Sequence, residues 1–181
     1  MPNSVKKIAN EIMCGHIGIM PTDTIYGMVG SVFLRSVVER IYELRKRDLN
    51  KPFIILISSF ADLGKFDIEV DEKLKTELLK YWPGKVSVIL PCQSEKFKYL
   101  HRGKNSLAFR LPDKEDLIEI IKIAGPIVAP SANPQGLPPA KNISEAKKYF
   151  DKWIDFYEDG GEIVGKSSKI LEYRVREMVA I

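Results

Sequence analysis

Residues 53–57 read Phe-Ile-Ile-Leu-Ile, five apolar side chains in a row. A strand with one wet face alternates apolar and polar residues. An unbroken apolar run is the pattern of a strand covered on both faces. Sheets of that kind carry helices, so the flanking segments should be helical. Upstream, Val37, Val38, Ile41 and Leu44 fall on one face of a helix over about Ser36 to Arg47. Before it, Ile17 to Met20 is a short buried strand ended by Pro21. Earlier still, Ser4 is placed to cap a helix that turns Val5, Ile8, Ala9 and Ile12 inward and stops at Gly15.

Downstream the alternation continues. Asp71 caps a helix with Leu74, Leu78 and Leu79 inside; Pro83-Gly84 breaks it, and Val86 to Leu90 is a strand. Ser106 to Leu111 is a strand with no helix before it, so part of the sheet must be antiparallel or mixed. Asp113 opens a helix carrying Leu117, Ile120, Ile121 and Ala124, closed by Gly125-Pro126. Ile127 to Ala129 then runs into the loop Pro130 to Pro139. Ser144 starts a last helix, and Ile154 to Tyr157 and the segment from Ile170 supply further strands. With no repeat, low-complexity tract or long linker, residues 1–181 read as a single α/β domain.

The 181 residues are 45% apolar and 29% charged, ordinary globular usage that excludes wholesale disorder. The net charge of +4 suits an anionic ligand and falls far short of a basic tail wrapping nucleic acid. Cys14, Cys92, His16 and His101 show no metal-ligand spacing, so a structural zinc site is not expected. The apolar window Ile17 to Leu34 is interrupted by Pro21, Thr22, Asp23 and Thr24 and cannot span a bilayer. A cytoplasmic protein with reduced cysteines and no membrane contact is the expectation.

Three polar loops each follow an apolar segment, where ligands of open α/β sheets bind. Pro21-Thr22-Asp23-Thr24-Ile25-Tyr26-Gly27 gathers two hydroxyls, a carboxylate and a phenol; by itself it is equally a Pro/Asp turn. Arg45-Lys46-Arg47-Asp48-Leu49-Asn50-Lys51-Pro52 carries a local +3 at a helix end. It reads either as an anion clamp centred on Arg47 or as a solvated end complementing the helix dipole. Pro130-Ser131-Ala132-Asn133-Pro134-Gln135-Gly136 offers small residues and polar side chains to an anion, or is a turn. Phosphate loops of the Gly-x-x-x-x-Gly-Lys type, dinucleotide fingerprints and Gly-x-Ser-x-Gly elbows are absent, and two scattered histidines make a Ser-His-Asp triad a poor fit.

In this order the three loops, with Trp82-Pro83-Gly84-Lys85-Val86 and Leu107-Ala108-Phe109-Arg110-Leu111-Pro112, resemble the YrdC-like family of threonylcarbamoyl-AMP synthases, from the first helix almost to the C-terminus. The resemblance implies a twisted mixed sheet flanked by helices with a concave basic face. It also implies condensation of L-threonine, bicarbonate and ATP to threonylcarbamoyl-adenylate and pyrophosphate, with Mg²⁺. The product serves a separate transferase that modifies tRNA. By resemblance Thr24, Arg110 and Ser168 bind threonine, and Arg47, Lys51, Ser106, Ser131, Asn133 and Arg176 bind ATP. Asp23 is a further candidate, for positioning the metal or a water. No catalytic nucleophile is implied; Arg47, Lys51 and Arg176 would act electrostatically. The chain departs from the family pattern at Arg45, where a Lys is usual, and at Gln135, Pro139, Lys141 and Lys169. The competing class is a divergent relative that has become an RNA-binding module, touching tRNA or double-stranded RNA through the same basic face.

Overall fold

The computed structural model describes residues 3–174 and 177–180. Helix α1 (Asn3–Met13) buries Val5, Ile8, Ala9 and Ile12, the face expected from the spacing. Ser4 lies within its first turn instead of capping it. The helix stops where Gly15 takes φ of +82°, a conformation that costs glycine nothing. Strand β1 (Gly18–Pro21) then pairs antiparallel with β2 (Tyr26–Ser31), which is buried throughout. The sequence reading missed β2, because Gly27 and Gly30 dilute its apolar pattern. Helix α2 (Arg35–Arg45) ends two residues earlier than expected. Lys46 is left-handed, and the amides of Lys46 and Arg47 close on Glu43 and Tyr42.

Strand β3 (Ile54–Leu56) is the centre of the apolar run. Helix α3 (Ala61–Gly64) and helix α4 (Glu72–Leu79) follow; the Asp71 side chain accepts from the Leu74 amide as expected of a cap. Leu79 is 56% exposed, so the inward face of α4 is Leu74 and Leu78 alone. Strand β4 (Val86–Pro91), a 3₁₀ turn (Glu95–Phe97), helix α5 (Lys98–His101) and strand β5 (Ser106–Arg110) come next. Helix α6 (Glu115–Ala124) leads to β6 (Ile127–Val128). Helix α7 (Ile143–Phe150) is capped by Asn142, not Ser144: the Asn142 carboxamide accepts from the Glu145 amide. Strands β7 (Phe156–Tyr157), β8 (Lys169–Arg174) and β9 (Glu177–Ala180) close the order.

These strands form one twisted mixed sheet in the order β7-β1-β2-β6-β3-β5-β4-β8-β9. The β1–β7, β3–β5 and β4–β8 pairs are parallel and the others antiparallel, so the sheet is mixed as expected, although a short helix, α5, does precede β5 where the sequence suggested none. One face carries the larger core, with Tyr26, Tyr42, Phe66 and Phe109 fully buried beneath α2, α4 and α7. On the other, α1 and α6 pack on Met20, Val29, Leu56 and Ile127. Register places Ile54, Ala108, Ile89 and Glu172 in line on this second face. These four residues line a cavity.

Asp62 illustrates how the sharp turn after β3 is held. Its carboxylate accepts from the Ser58 amide and hydroxyl, each at 2.8 Å, and pairs with Lys65 at 2.8 Å. Burial pushes its pKa up, but these partners outweigh it and hold the group below the usual carboxylate range. A depressed carboxylate contributes stability above its unfolded pKa and loses it as pH falls. The stability difference between wild type and Asp62→Asn, measured by urea unfolding, is therefore expected to be largest near neutrality and to shrink below about pH 4.

Candidate active site

The cavity has a volume of about 510 Å³ and draws its walls from all three polar loops. Backbone pairing brings them together. The Met28 amide donates to the Pro130 carbonyl at 2.8 Å, and the Ala132 amide to the Tyr26 carbonyl at 2.9 Å, so the 130–133 segment lies along the start of β2. Of the residues singled out from sequence, Thr24, Arg47, Ser106, Arg110, Ser131 and Ser168 all line this one space. Asn133 is buried behind the wall, and Lys51 is exposed and outside the lining. Arg176 lies outside the described residues.

In the first loop, the Thr22 and Thr24 hydroxyls share a hydrogen bond of 3.1 Å, and the Thr22 hydroxyl donates to the Ile25 carbonyl at 2.7 Å. Asp23 is outside the lining and meets the lining residue Arg110, whose Nη2 donates to Oδ1 at 2.9 Å; both side chains are almost wholly buried. Burial lowers the Arg110 pKa and the Asp23 charge opposes that drop. Lys114, whose Nζ donates to the Pro21 carbonyl at 3.1 Å, also feels the Asp23 charge. A carboxylate so engaged is a counter-ion for Arg110. Its other oxygen, Oδ2, is buried without a hydrogen-bond partner among the described residues. Among the described residues, no cluster of three or more His, Cys, Asp or Glu could hold a metal.

The second and third loops are joined by Arg45, part of the segment that from sequence reads either as an anion clamp or as a solvated helix end. It is only 2% exposed. Its Nε donates to the Asn133 carbonyl at 3.0 Å, and Nη2 to the Ser131 hydroxyl at 3.0 Å. Nη1 is buried with no hydrogen-bond partner among the described residues, and the side chain lines the cavity. Burial, then the charge of Arg47, pulls its pKa down to about 10, so it stays cationic at neutral pH. Asn133 donates to the Pro134 and Leu137 carbonyls, and the Gln135 amide donates to the Arg45 carbonyl at 2.7 Å. Gln135, a departure from the family pattern, thus ties this loop to α2.

Arg47 stacks over Phe53 at 5.3 Å, and its Nε donates to the Lys51 carbonyl at 2.9 Å. The 47–52 loop is closed around this guanidinium while the side chain still borders the cavity. Ser168 reaches the site from the far side, its hydroxyl 2.9 Å from that of Ser87. Lys104, Ser167 and Glu172 also line the cavity and were not singled out from sequence. A cavity with one buried guanidinium neutralised by a carboxylate, and another held only by neutral acceptors, is built to receive anions.

The Sua5_yciO_yrdC family model, described as telomere recombination, matches residues 10–181. A threonylcarbamoyl-AMP synthase of Pyrococcus abyssi is 29% identical over 93% of this chain and 50% of its own length. The Bacillus subtilis protein of that name is 32% identical over 83% and 44%, and that of Marinobacter nauticus 30% over 80% and 77%. The chain thus spans about half the length of the first two relatives. Among solved structures, P. abyssi Sua5 complexed with L-threonine superposes with a TM-score of 0.84 at 30% identity, covering 93% of this chain and 50% of that one. E. coli YciO shares the fold, with a TM-score of 0.83 at 19% identity over 98% and 90%.

Replacing Arg45 with Met leaves the Asn133 carbonyl and the Ser131 hydroxyl without their buried donor. Unfolding free energy is expected to fall by about 1–3 kcal/mol, and the amides of residues 133–137 to exchange faster by hydrogen–deuterium exchange. Lys46→Met, at an exposed neighbour, is expected to change neither measurement.

Proposed function

Since this chain belongs to the Sua5–YciO–YrdC family, we propose that it is a threonylcarbamoyl-AMP synthase acting in the cytoplasm. One observation carries the reading. A single cavity unites two buried guanidiniums with different partners, Arg45 with neutral acceptors and Arg110 with Asp23. A reaction that joins two anionic substrates without a protein nucleophile needs just such a pair of anchors.

In this reading threonine binds beside Thr24, Arg110 and Ser168, its carboxylate on Arg110. The triphosphate of ATP lies against Arg45, Arg47, Ser106 and Ser131, with Asn133 holding Arg45 in place and with Lys51 and Arg176 completing the charge. Magnesium arrives as MgATP, bound by the phosphates. The threonine amine and bicarbonate give the carbamate and water. A carbamate oxygen then attacks the α-phosphorus, the bond to the bridging oxygen breaks, and pyrophosphate leaves with the electron pair. Positioning and neutralisation of phosphate charge supply the acceleration. The adenylate then passes to a separate transferase acting on tRNA, a partner that the same reading implies.

Pyrophosphate release from purified protein and MgATP is expected only when threonine and bicarbonate are both present, with threonylcarbamoyl-adenylate detected by mass spectrometry. Release from ATP alone, unchanged by either addition, would refute the assignment.

Arg47→Ala is expected to lower kcat/KM for ATP by about 10- to 100-fold, corresponding to about 1.5–3 kcal/mol for a charge-assisted bond. Lys46→Ala, exposed beyond the helix end, is expected to leave it unchanged. Steady-state kinetics with folding checked by circular dichroism compares the two.

A further inference from the structure

The connection from β7 to β8 has an unusual path. Its ends are separated by seven strand positions in the sheet, yet only residues 158–168 join them. Seven spacings amount to about 33 Å, and the chain from Tyr157 to Lys169 reaches at most about 42 Å. The segment therefore crosses the sheet as a nearly taut strap, and it delivers Ser167 and Ser168 to the cavity wall.

Two seats on the first polar loop hold the strap. A Cβ built on Gly160 would stand 2.7 Å from the Pro21 ring, and one on Gly165 would stand 2.1 Å from the Thr24 carbonyl oxygen. Only glycine lets the strap lie so close. Between these seats the strap is tied by Tyr26. Its ring is fully buried in β2, its hydroxyl accepts from the Gly160 amide at 2.9 Å, and it donates to the Gly161 carbonyl at 2.8 Å. The Ile163 amide adds a bond to the Lys141 carbonyl at 2.8 Å. Beyond these ties the strap is solvated: Val164 is 82% exposed, and Lys166 is exposed too.

We propose that Tyr26 is a positioning residue whose hydroxyl latches the 158–168 strap across the cavity, and so sets where Ser167 and Ser168 meet the amino-acid substrate. The inference rests on the synthase reading above and deepens it, assigning to a buried phenol control over threonine affinity. Tyr26 borders the cavity, but its hydroxyl is engaged by the Gly160 and Gly161 backbone of the strap. Its effect reaches the site through the strap, so it should act on amino-acid binding and leave the chemical step alone.

The test uses Tyr26→Phe, which keeps the ring and removes the latch, and Gly165→Ala, which wedges the strap off Thr24 without touching Tyr26. Brief trypsin treatment with mass spectrometry reads cleavage after Lys166. Kinetics reads KM for threonine against kcat. Both variants are expected to be cut after Lys166 about fivefold faster and to raise KM for threonine about fivefold, with kcat within about twofold. The double variant is expected to add little, because both act on one strap. Unchanged cleavage in both single variants, or faster cleavage with unchanged KM, overturns the proposal and leaves the synthase reading standing. A wild type that makes no adenylate removes the synthase reading instead. The substrate part of the proposal falls with it, and cleavage after Lys166 still decides whether Tyr26 latches the strap.

Discussion

A guanidinium cannot be left without partners inside a protein, and Arg45 makes that requirement the organising constraint of this molecule. At the last turn of α2, it is enclosed by the 131–133 loop, which supplies a backbone carbonyl and a hydroxyl as acceptors. The loop in turn depends on Arg45 for a donor, and on the start of β2 for its backbone bonds. Helix end, loop and strand are thus fixed together, and the cavity is the space they leave. Arg47 follows from this arrangement. With Arg45 locked and Lys46 left-handed, the chain turns so that Arg47 borders the cavity, steadied by the carbonyls of its own loop.

The two buried arginines differ in a way that sets the electrostatics of the site. Arg110 meets a carboxylate in Asp23, so its charge is largely cancelled and its value lies in direction. Arg45 meets only neutral acceptors, so its charge remains uncompensated and projects into the cavity. One end of the space therefore presents a charge-paired guanidinium and the other an uncompensated one.

Much of the architecture was legible because burial on two faces leaves continuous apolar runs, as at Phe53 to Ile57, and because helix faces repeat cleanly, as at Val5, Ile8, Ala9 and Ile12. Strand β2 was hidden, since Gly27 and Gly30 carry no apolar side chain to register. Leu79 was misread because a periodic position does not say where a neighbouring element stops covering the helix. In the site, Thr24, Arg47, Ser106, Arg110, Ser131 and Ser168 were found by their motif context and do share one cavity. Arg45 was noted only as a departure from the family pattern, for a physical reason: basic residues at a helix C-terminus are ordinarily solvated, and its burial arises from a loop 86 residues further along the chain. The pairing of Asp23 with Arg110 was missed because a lone loop carboxylate does not reveal the guanidinium beside it.

The pairing of β8 with β4 has a consequence for how the molecule is made. Residues 169–172 lie in parallel beside 86–89, and the strap before them crosses the intervening strands. Such distant pairings form late, because a large loop must close before they gain anything. During synthesis the ribosome releases β1 to β6, with Arg45 and the 131–133 loop, well before Ser168 emerges. The central sheet can therefore assemble around a half-built, open-sided basin. The wall that carries Ser167 and Ser168 arrives only with β8, so the cavity is closed on that side after the rest of the basin has formed.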